Sequence, residues 1–138
     1  MIGNHLMDYE VGDRLPDVRF APSATQLFRF SAVTWNTHRI HYDVEWAKHE
    51  GHKGVLVHSH LHAANVLRPL TDGLGPDWAV TSASYRVVRP AAAGDSLVAS
   101  AEVVGRSEDG RRLQFAIREV NGAGEACCEG TAEAELRT

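Results

Sequence analysis

The stretch Leu97–Leu136, LVASAEVVGRSEDGRRLQFAIREVNGAGEACCEGTAEAEL, decides the fold. In its first part Leu97, Ala99, Ala101 and Val103 alternate with Val98, Ser100, Glu102 and Val104. Further on, Leu113, Phe115 and Ile117 alternate with Gln114, Ala116 and Arg118. At its end Ala126, Cys128, Gly130, Ala132, Ala134 and Leu136 alternate with Glu125, Cys127, Glu129, Thr131, Glu133 and Glu135. A period of two sends successive side chains to opposite faces, so these are three consecutive strands, each with one face on a core. Asp109-Gly110 and Asn121-Gly122 separate them. Such dipeptides tolerate the positive φ of tight turns and join the strands as an antiparallel meander. A fourth strand, about Trp78 to Val88, precedes them across the turn-forming segment Pro90 to Asp95.

The inward face of the last strand is mostly alanine, cysteine and glycine, which lets another element approach closely. His58 to Leu70 is that element: Leu61, Ala63, Ala64, Val66, Leu67 and Leu70 predict a short helix buried nearly all round. Pro69 ends or kinks it near Arg68. A smaller helix is expected from Val44 to Glu50, with Asp43 capping its first N–H groups and Gly51 supplying a left-handed residue at its end. Thr25 to Val33 reads as an earlier strand. Assembled, this is an α+β hotdog fold, a curved antiparallel sheet wrapped around one central helix. Its open edges point to a dimer, because exposed strand edges are usually paired or covered.

The 138 residues fit one domain, 1–138, and with 43% hydrophobic residues the chain can build a core without metal or disulfide staples. Eighteen acidic residues against fourteen basic give a net charge of −4. That charge offers no general attraction for nucleic acid or anionic lipid. No apolar stretch reaches the length of a membrane span, and Met1 to Glu10 lacks the pattern of an export signal. Cys127 and Cys128 are neighbours in a strand, where a mutual disulfide is strained, so a reducing cytoplasm is expected. Neither a Gly-x-Gly-x-x-Gly nor a Walker-type loop is present, which argues against dinucleotide redox chemistry and nucleotide hydrolysis.

His38, His41, His49, His52, His58, His60 and His62 crowd between positions 38 and 62. Zinc is disfavoured: the spacings lack a cysteine pair or a His-Glu-x-x-His pattern, and residues 58, 60 and 62 do not share one helix face. His49 and His52 read as surface residues beside the Gly51 turn. His41 differs, because it precedes the Asp43 cap, with Asn36 upstream and the start of the buried helix at His58-Ser59 downstream. An imidazole both takes and gives a proton near neutrality, and helix N–H groups near Ser59 and His60 can stabilise an oxyanion or enolate. A structural histidine that hydrogen-bonds a loop fits the same pattern equally well.

Three segments carry a family resemblance: Phe30 to Asp43 (FSAVTWNTHRIHYD), Gly54 to Ser59 (GVLVHS), and Arg89-Pro90 through Gly94-Asp95-Ser96-Leu97. The chain resembles the MaoC-like hydratases and dehydratases of the hotdog superfamily over about Tyr9 to Val104. The branch it resembles holds type 2 hydroxyacyl-thioester dehydratases and mesaconyl-CoA hydratases. The resemblance implies hydration of trans-2-enoyl thioesters of CoA or acyl carrier protein, or the reverse dehydration, with no metal or redox cofactor. It implies a homodimer, or a heterodimer with another hotdog subunit. The family motif runs Asp-x-Asn-Pro-(Ile/Leu)-His, and here its histidine is His41, while Asn36, His38 and Arg39 replace the aspartate, asparagine and proline. An amide accepts no proton at neutral pH, so a second base at position 36 is excluded. The resemblance then implies His41 as general acid and base and Asn36 as a positioning group, with His38 or Asp43 tuning His41. On the substrate side it implies His58, Ser59, His60 and Arg39, with Ser59 standing where the family usually has glycine.

Two rivals remain. A hotdog thioesterase usually places a carboxylate on the central helix, and His58 to Leu70 contains none. A non-catalytic subunit of a heterodimeric dehydratase is favoured by Asn36. Arg39, Arg86 and Arg89 suit either a substrate carboxylate, CoA phosphates or a solvated face, and Trp35, Trp46, Trp78 and Tyr85 give no rule for acyl length.

Overall fold

The computed structural model describes residues 8–137. Its sheet contains β1 (Val18–Phe20), β2 (Trp78–Val87), β3 (Leu97–Arg106), β4 (Arg112–Val120) and β5 (Ala126–Leu136), in the order β1-β3-β4-β5-β2. Every pairing is antiparallel. The meander expected from the Asp-Gly and Asn-Gly turns is therefore present, and the expected core faces are the buried ones: Leu97, Ala99, Ala101 and Val103; Leu113, Phe115 and Ile117; Cys128, Ala132, Ala134 and Leu136. Gly130 has a different use from the one expected. A Cβ there would meet the Ser84 carbonyl oxygen and lie 2.8 Å from Tyr85 Cα, so it admits the neighbouring strand β2 rather than the helix.

One expectation is overturned. Residues 25–33 lie not in a strand but in α1 (Ala24–Thr34). Ser23 caps it, its hydroxyl accepting the Gln26 N–H at 3.1 Å, and Leu27 and Ser31 form its buried i, i+4 face. The β-branched and aromatic residues that suggested a strand point outward instead: Phe28 and Val33 are exposed. The early strand is β1, seven residues before the expected segment begins, paired with β3 through Val18 and Ala99.

The helical layer follows. A single 3-10 turn covers Arg39–His41, then α2 (Val44–His49) is capped by Asp43, which accepts the Trp46 N–H at 3.1 Å. Gly51 has φ +91°, the left-handed conformation expected of it. The expected helix over residues 58–70 is two helices, α3 (Ser59–Val66) and α4 (Arg68–Gly73), broken where Pro69 enters the first turn of α4. Nor is α3 buried all round: Leu61, His62, Asn65 and Val66 face the sheet, while Ser59, His60 and Ala64 are exposed. Two apolar clusters fill the interior. One joins Val66, Leu70, Leu74 and Trp78 to strands β3, β4 and β5, and the other joins Leu27, Ala47, Val55, Val57 and Leu61 to Leu97 and Cys127. Both cysteines are free and buried. No helix among the described residues is long and apolar enough to cross a membrane.

Candidate active site

The segment 55–57 is stitched in place from both sides. Val57 N–H donates to the Ala91 carbonyl at 2.8 Å, Ala93 N–H to Val55 at 2.9 Å, and Leu56 N–H to Ile40 at 2.9 Å. The Leu56 carbonyl is thereby aimed back at the 3-10 turn, where it accepts from His41 Nδ1 at 2.8 Å. A carbonyl only accepts, so Nδ1 carries the hydrogen and, in the neutral ring, Nε2 keeps its lone pair. His41 is 8% exposed. Burial pushes its pKa below the usual histidine value, the Leu56 bond pulls it partly back, and His38 lowers it further. The ring is poised as a neutral base.

His58, the residue preceding α3, lies flat against His41, ring centres 3.9 Å apart and planes at 16°. Its Nε2 is 2.7 Å from Ser31 Oγ, and the Phe30 ring packs at 4.7 Å. Burial, followed by its histidine neighbours, lowers its pKa to about 4. The stack is a pair of neutral imidazoles, one tied to α1 and the other to the 55–57 segment. No side chain caps α3, which leaves its first N–H groups without an intrahelical partner at Ser59 and His60, both exposed.

The remaining expected residues are distributed around this stack. Asn36 follows Trp35, whose φ of 55° is the only positive value on a non-glycine residue among the described residues. The Asn36 side-chain oxygen accepts the His38 N–H at 3.3 Å, and His38 Nδ1 accepts the Ile40 N–H at 3.3 Å. His38 stands 6.1 Å from His41, ring to ring. With Phe30, Trp35 and His60, Asn36 and His38 line an open depression of about 530 Å3. Asp43 and Arg39 are turned to other work. Asp43 caps α2 and receives the Arg39 guanidinium at 2.8 Å, while that guanidinium also sits 4.3 Å from the centre of the Trp46 ring. The Arg39 side-chain hydrogen bond, with the Trp46 N–H behind it, holds the Asp43 carboxyl below the usual carboxylate range. Arg86 and Arg89 pair with Glu129 and Glu125 at 3.5 and 3.1 Å. A larger hollow, about 890 Å3, lies among Arg14, Arg86, Glu102 and Arg118 and contains none of these histidines.

Two buried polar residues were missed by the sequence reading, with Asn65 of α3 a third. Ser31 is one, hidden because its helix was read as a strand. Glu119 is the other: it continues the alternation Leu113, Phe115, Ile117 by one step onto the core face, where it bonds His62 and Asn65 of α3.

Comparison with known proteins shows the family. A family model described as hydroxyacyl-thioester dehydratase type 2 matches residues 10–93. Mesaconyl-C(4)-CoA hydratase of Chloroflexus aurantiacus is 56% identical over 43 residues, 30% of this chain and 15% of that protein, so the match spans a small part of the relative. Among solved structures, the R-hydratase PhaJ1 of Pseudomonas aeruginosa is similar with a TM-score of 0.86 and 26% identity, covering 95% of this chain and 84% of that one. A chain of the ChsH1-ChsH2 complex of Mycobacterium tuberculosis shares the fold, with a TM-score of 0.83 at 24% identity over 93% and 98% of the two chains. The family match takes in α1, the 3-10 turn, the Leu56 clamp and the whole of α3, so the chain belongs to the type 2 hydroxyacyl-thioester dehydratase family.

Proposed function

We propose that the chain hydrates trans-2-enoyl thioesters of CoA or acyl carrier protein to 3-hydroxyacyl thioesters, or runs the reverse dehydration, with His41 as general acid and base. The observation that carries this reading is the His41 clamp: Nδ1–H is committed to the Leu56 carbonyl, leaving Nε2 as the proton acceptor beside the uncapped start of α3. In hydration, Nε2 takes a proton from water as its oxygen bonds to C3 of the enoyl group. The electron pair of the double bond moves onto the thioester carbonyl as an enolate, which the Ser59 and His60 N–H groups stabilise. The imidazolium then returns the same proton to C2, so one base serves both transfers and no carboxylate at position 36 is required. Asn36 and His38 orient the acyl group in the depression they line. Ser59, His60 and Ala64 are exposed on the thioester side of α3, and a second hotdog subunit covers this face and closes the acyl site.

The test is loss of enoyl ultraviolet absorbance with crotonyl-CoA and mesaconyl-CoA, comparing wild type with His41→Ala and Asn36→Asp. Wild type turns over, and His41→Ala loses a factor of about 10²–10⁴, the usual contribution of a general base. Equal inertness of wild type and His41→Ala would overturn the reading.

The second reading, a non-catalytic subunit that shapes the acyl channel for a catalytic partner, is favoured by the amide at position 36. The shared fold with a chain of a two-component complex supports it further. A stable chain that is inert alone and active when co-expressed with a partner decides for it. A thioesterase is less favoured: Glu119 reaches α3, but it is fully buried with both oxygens bonded, so it presents no free nucleophile.

A further inference from the structure

The interior contains a carboxylate that the proposed chemistry does not use. Glu119 is 0% exposed, on the core face of β4. Its Oε1 accepts from His62 Nδ1 at 2.5 Å and its Oε2 from Asn65 Nδ2 at 2.8 Å. Taking such a pair out of water costs enough that apolar residues of similar volume are often at least as stabilising. From β5 the group meets the thiols of Cys127 and Cys128, and burial, then Glu119, raises the Cys128 pKa to about 11. Beside it in the sheet are Cys128 on β5 and Ala99 on β3, the latter opposite Glu119 in the pairing of those strands. Thus α3 supplies its hydrogen-bond donors.

His58, just ahead of α3, and His62 and Asn65 on it stand at i, i+4 and i+7, a stripe that leads from the His41 stack to Glu119. Along this stripe His58 Nδ1, His62 Nε2 and Asn65 Oδ1 are buried with no hydrogen-bond partner among the described residues. Buried polar atoms are normally bonded. Four residues at roughly 1.5 Å each put the two imidazole positions about 6 Å apart along the axis, near the reach of one water molecule making two hydrogen bonds of about 2.9 Å. The hydrogen-bond roles match in sequence. A carboxylate only accepts, so His62 Nδ1 carries its hydrogen, and a ring with that one hydrogen offers Nε2 as an acceptor. A bridging water that donates to His62 Nε2 accepts from His58 Nδ1–H. His58 Nε2 is then the acceptor for the Ser31 hydroxyl, whose oxygen lies 2.7 Å away.

We propose that Glu119 is a positioning residue for the active site: through His62 and one buried water it fixes the tautomer and plane of the His58 ring on which His41 rests. The chain of bonds runs in one direction from Ser31 through His58, water and His62 to Glu119. It deepens the hydratase reading, and only its kinetic test depends on that reading.

Two measurements on the purified full chain decide it. The first is histidine ¹⁵N NMR of wild type and Glu119→Gln, which reports the tautomer of each ring. Wild type shows His58 and His62 as single Nδ1–H tautomers, and Glu119→Gln converts His58 to a mixture although Glu119 does not touch it. The second is turnover of an enoyl thioester, where Glu119→Gln lowers kcat about tenfold at unchanged KM, the worth of one ordinary hydrogen bond. Should Glu119→Gln not fold, the double variant His62→Met/Glu119→Met replaces the buried pair by apolar volume and carries the same two expectations. A His58 tautomer and a kcat that match wild type in the folded variant overturn the proposal and leave the pair as packing. If wild type turns over no enoyl thioester, the hydratase reading fails, while the His58 spectrum still decides whether Glu119 governs that ring.

Discussion

His41 and His58 owe their behaviour to what surrounds each nitrogen. Burial is the main cause of both lowered pKa values, and it acts against the charged form. Under the proposed reaction the sign follows directly: a base at His41 must be neutral, so kcat/KM for enoyl-CoA hydration is expected to fall only as pH drops through a value below the ordinary 6.5. A pH profile of kcat/KM checks this. An acid limb centred above 6.5 would show that another group, or a charged neighbour, governs the step. Arg39 and Asp43 illustrate the opposite case. Both were expected at the site, yet their charges satisfy each other and the α2 N-terminus.

At the scale of elements, two glycine-related positions carry the shape. Gly130 lets β2 pair closely with β5, and the cost of a methyl group there falls on backbone atoms that cannot step aside. Gly130→Ala should destabilise the fold by about 2 kcal/mol or more, in the range of strained backbone contacts, as read by urea unfolding. Trp35 is the converse. It closes α1 in a left-handed conformation, with 82% of its surface exposed, so its side chain contributes little packing to offset the strain. Trp35→Gly should raise stability by about 1 kcal/mol in the same assay, because glycine meets that conformation without a Cβ clash. A loss of stability would mean that the indole makes contacts outside this chain. The break between α3 and α4 at Leu67 belongs to this scale too, since it sends α4 to the Leu70, Leu74 and Trp78 cluster while α3 remains against Glu119.

For the whole molecule, the buried histidine pair makes folding pH-dependent. The folded His58 pKa lies near 4 and the unfolded value near 6.5, so between these limits the unfolded chain binds more protons. Stability present above pH 6.5 is therefore lost as pH falls toward 4, and below 4 this group adds no further change. Urea midpoints across pH 4–7 test it, and a His58→Gln variant should flatten the slope. A slope unchanged in that variant would assign the acid sensitivity to other groups.

The residue patterns by themselves determined the meander, its core faces, α2 with its cap, and the family to which His41 points. These are local properties: a period of two, a turn dipeptide and a capping aspartate act within a few residues of chain. Residues 25–33 misled because β-branched and aromatic residues favour strands on average, while the decisive signal, Ser23 capping a helix whose buried side is only Leu27 and Ser31, is a narrow one. The candidate site was legible as a set of residues but not as an arrangement. That His58 stacks on His41, that Leu56 offers its carbonyl, and that Ser31 and Glu119 grip opposite ends of the His58–His62 stripe depend on contacts between residues 15 to 57 positions apart. Such contacts form only when the sheet curls α3 against β4 and draws the 3-10 turn onto the 55–57 segment. Tertiary structure alone decided which of seven clustered histidines are buried, that Nδ1 of His41 and of His62 carries the hydrogen, and where the core holds a carboxylate.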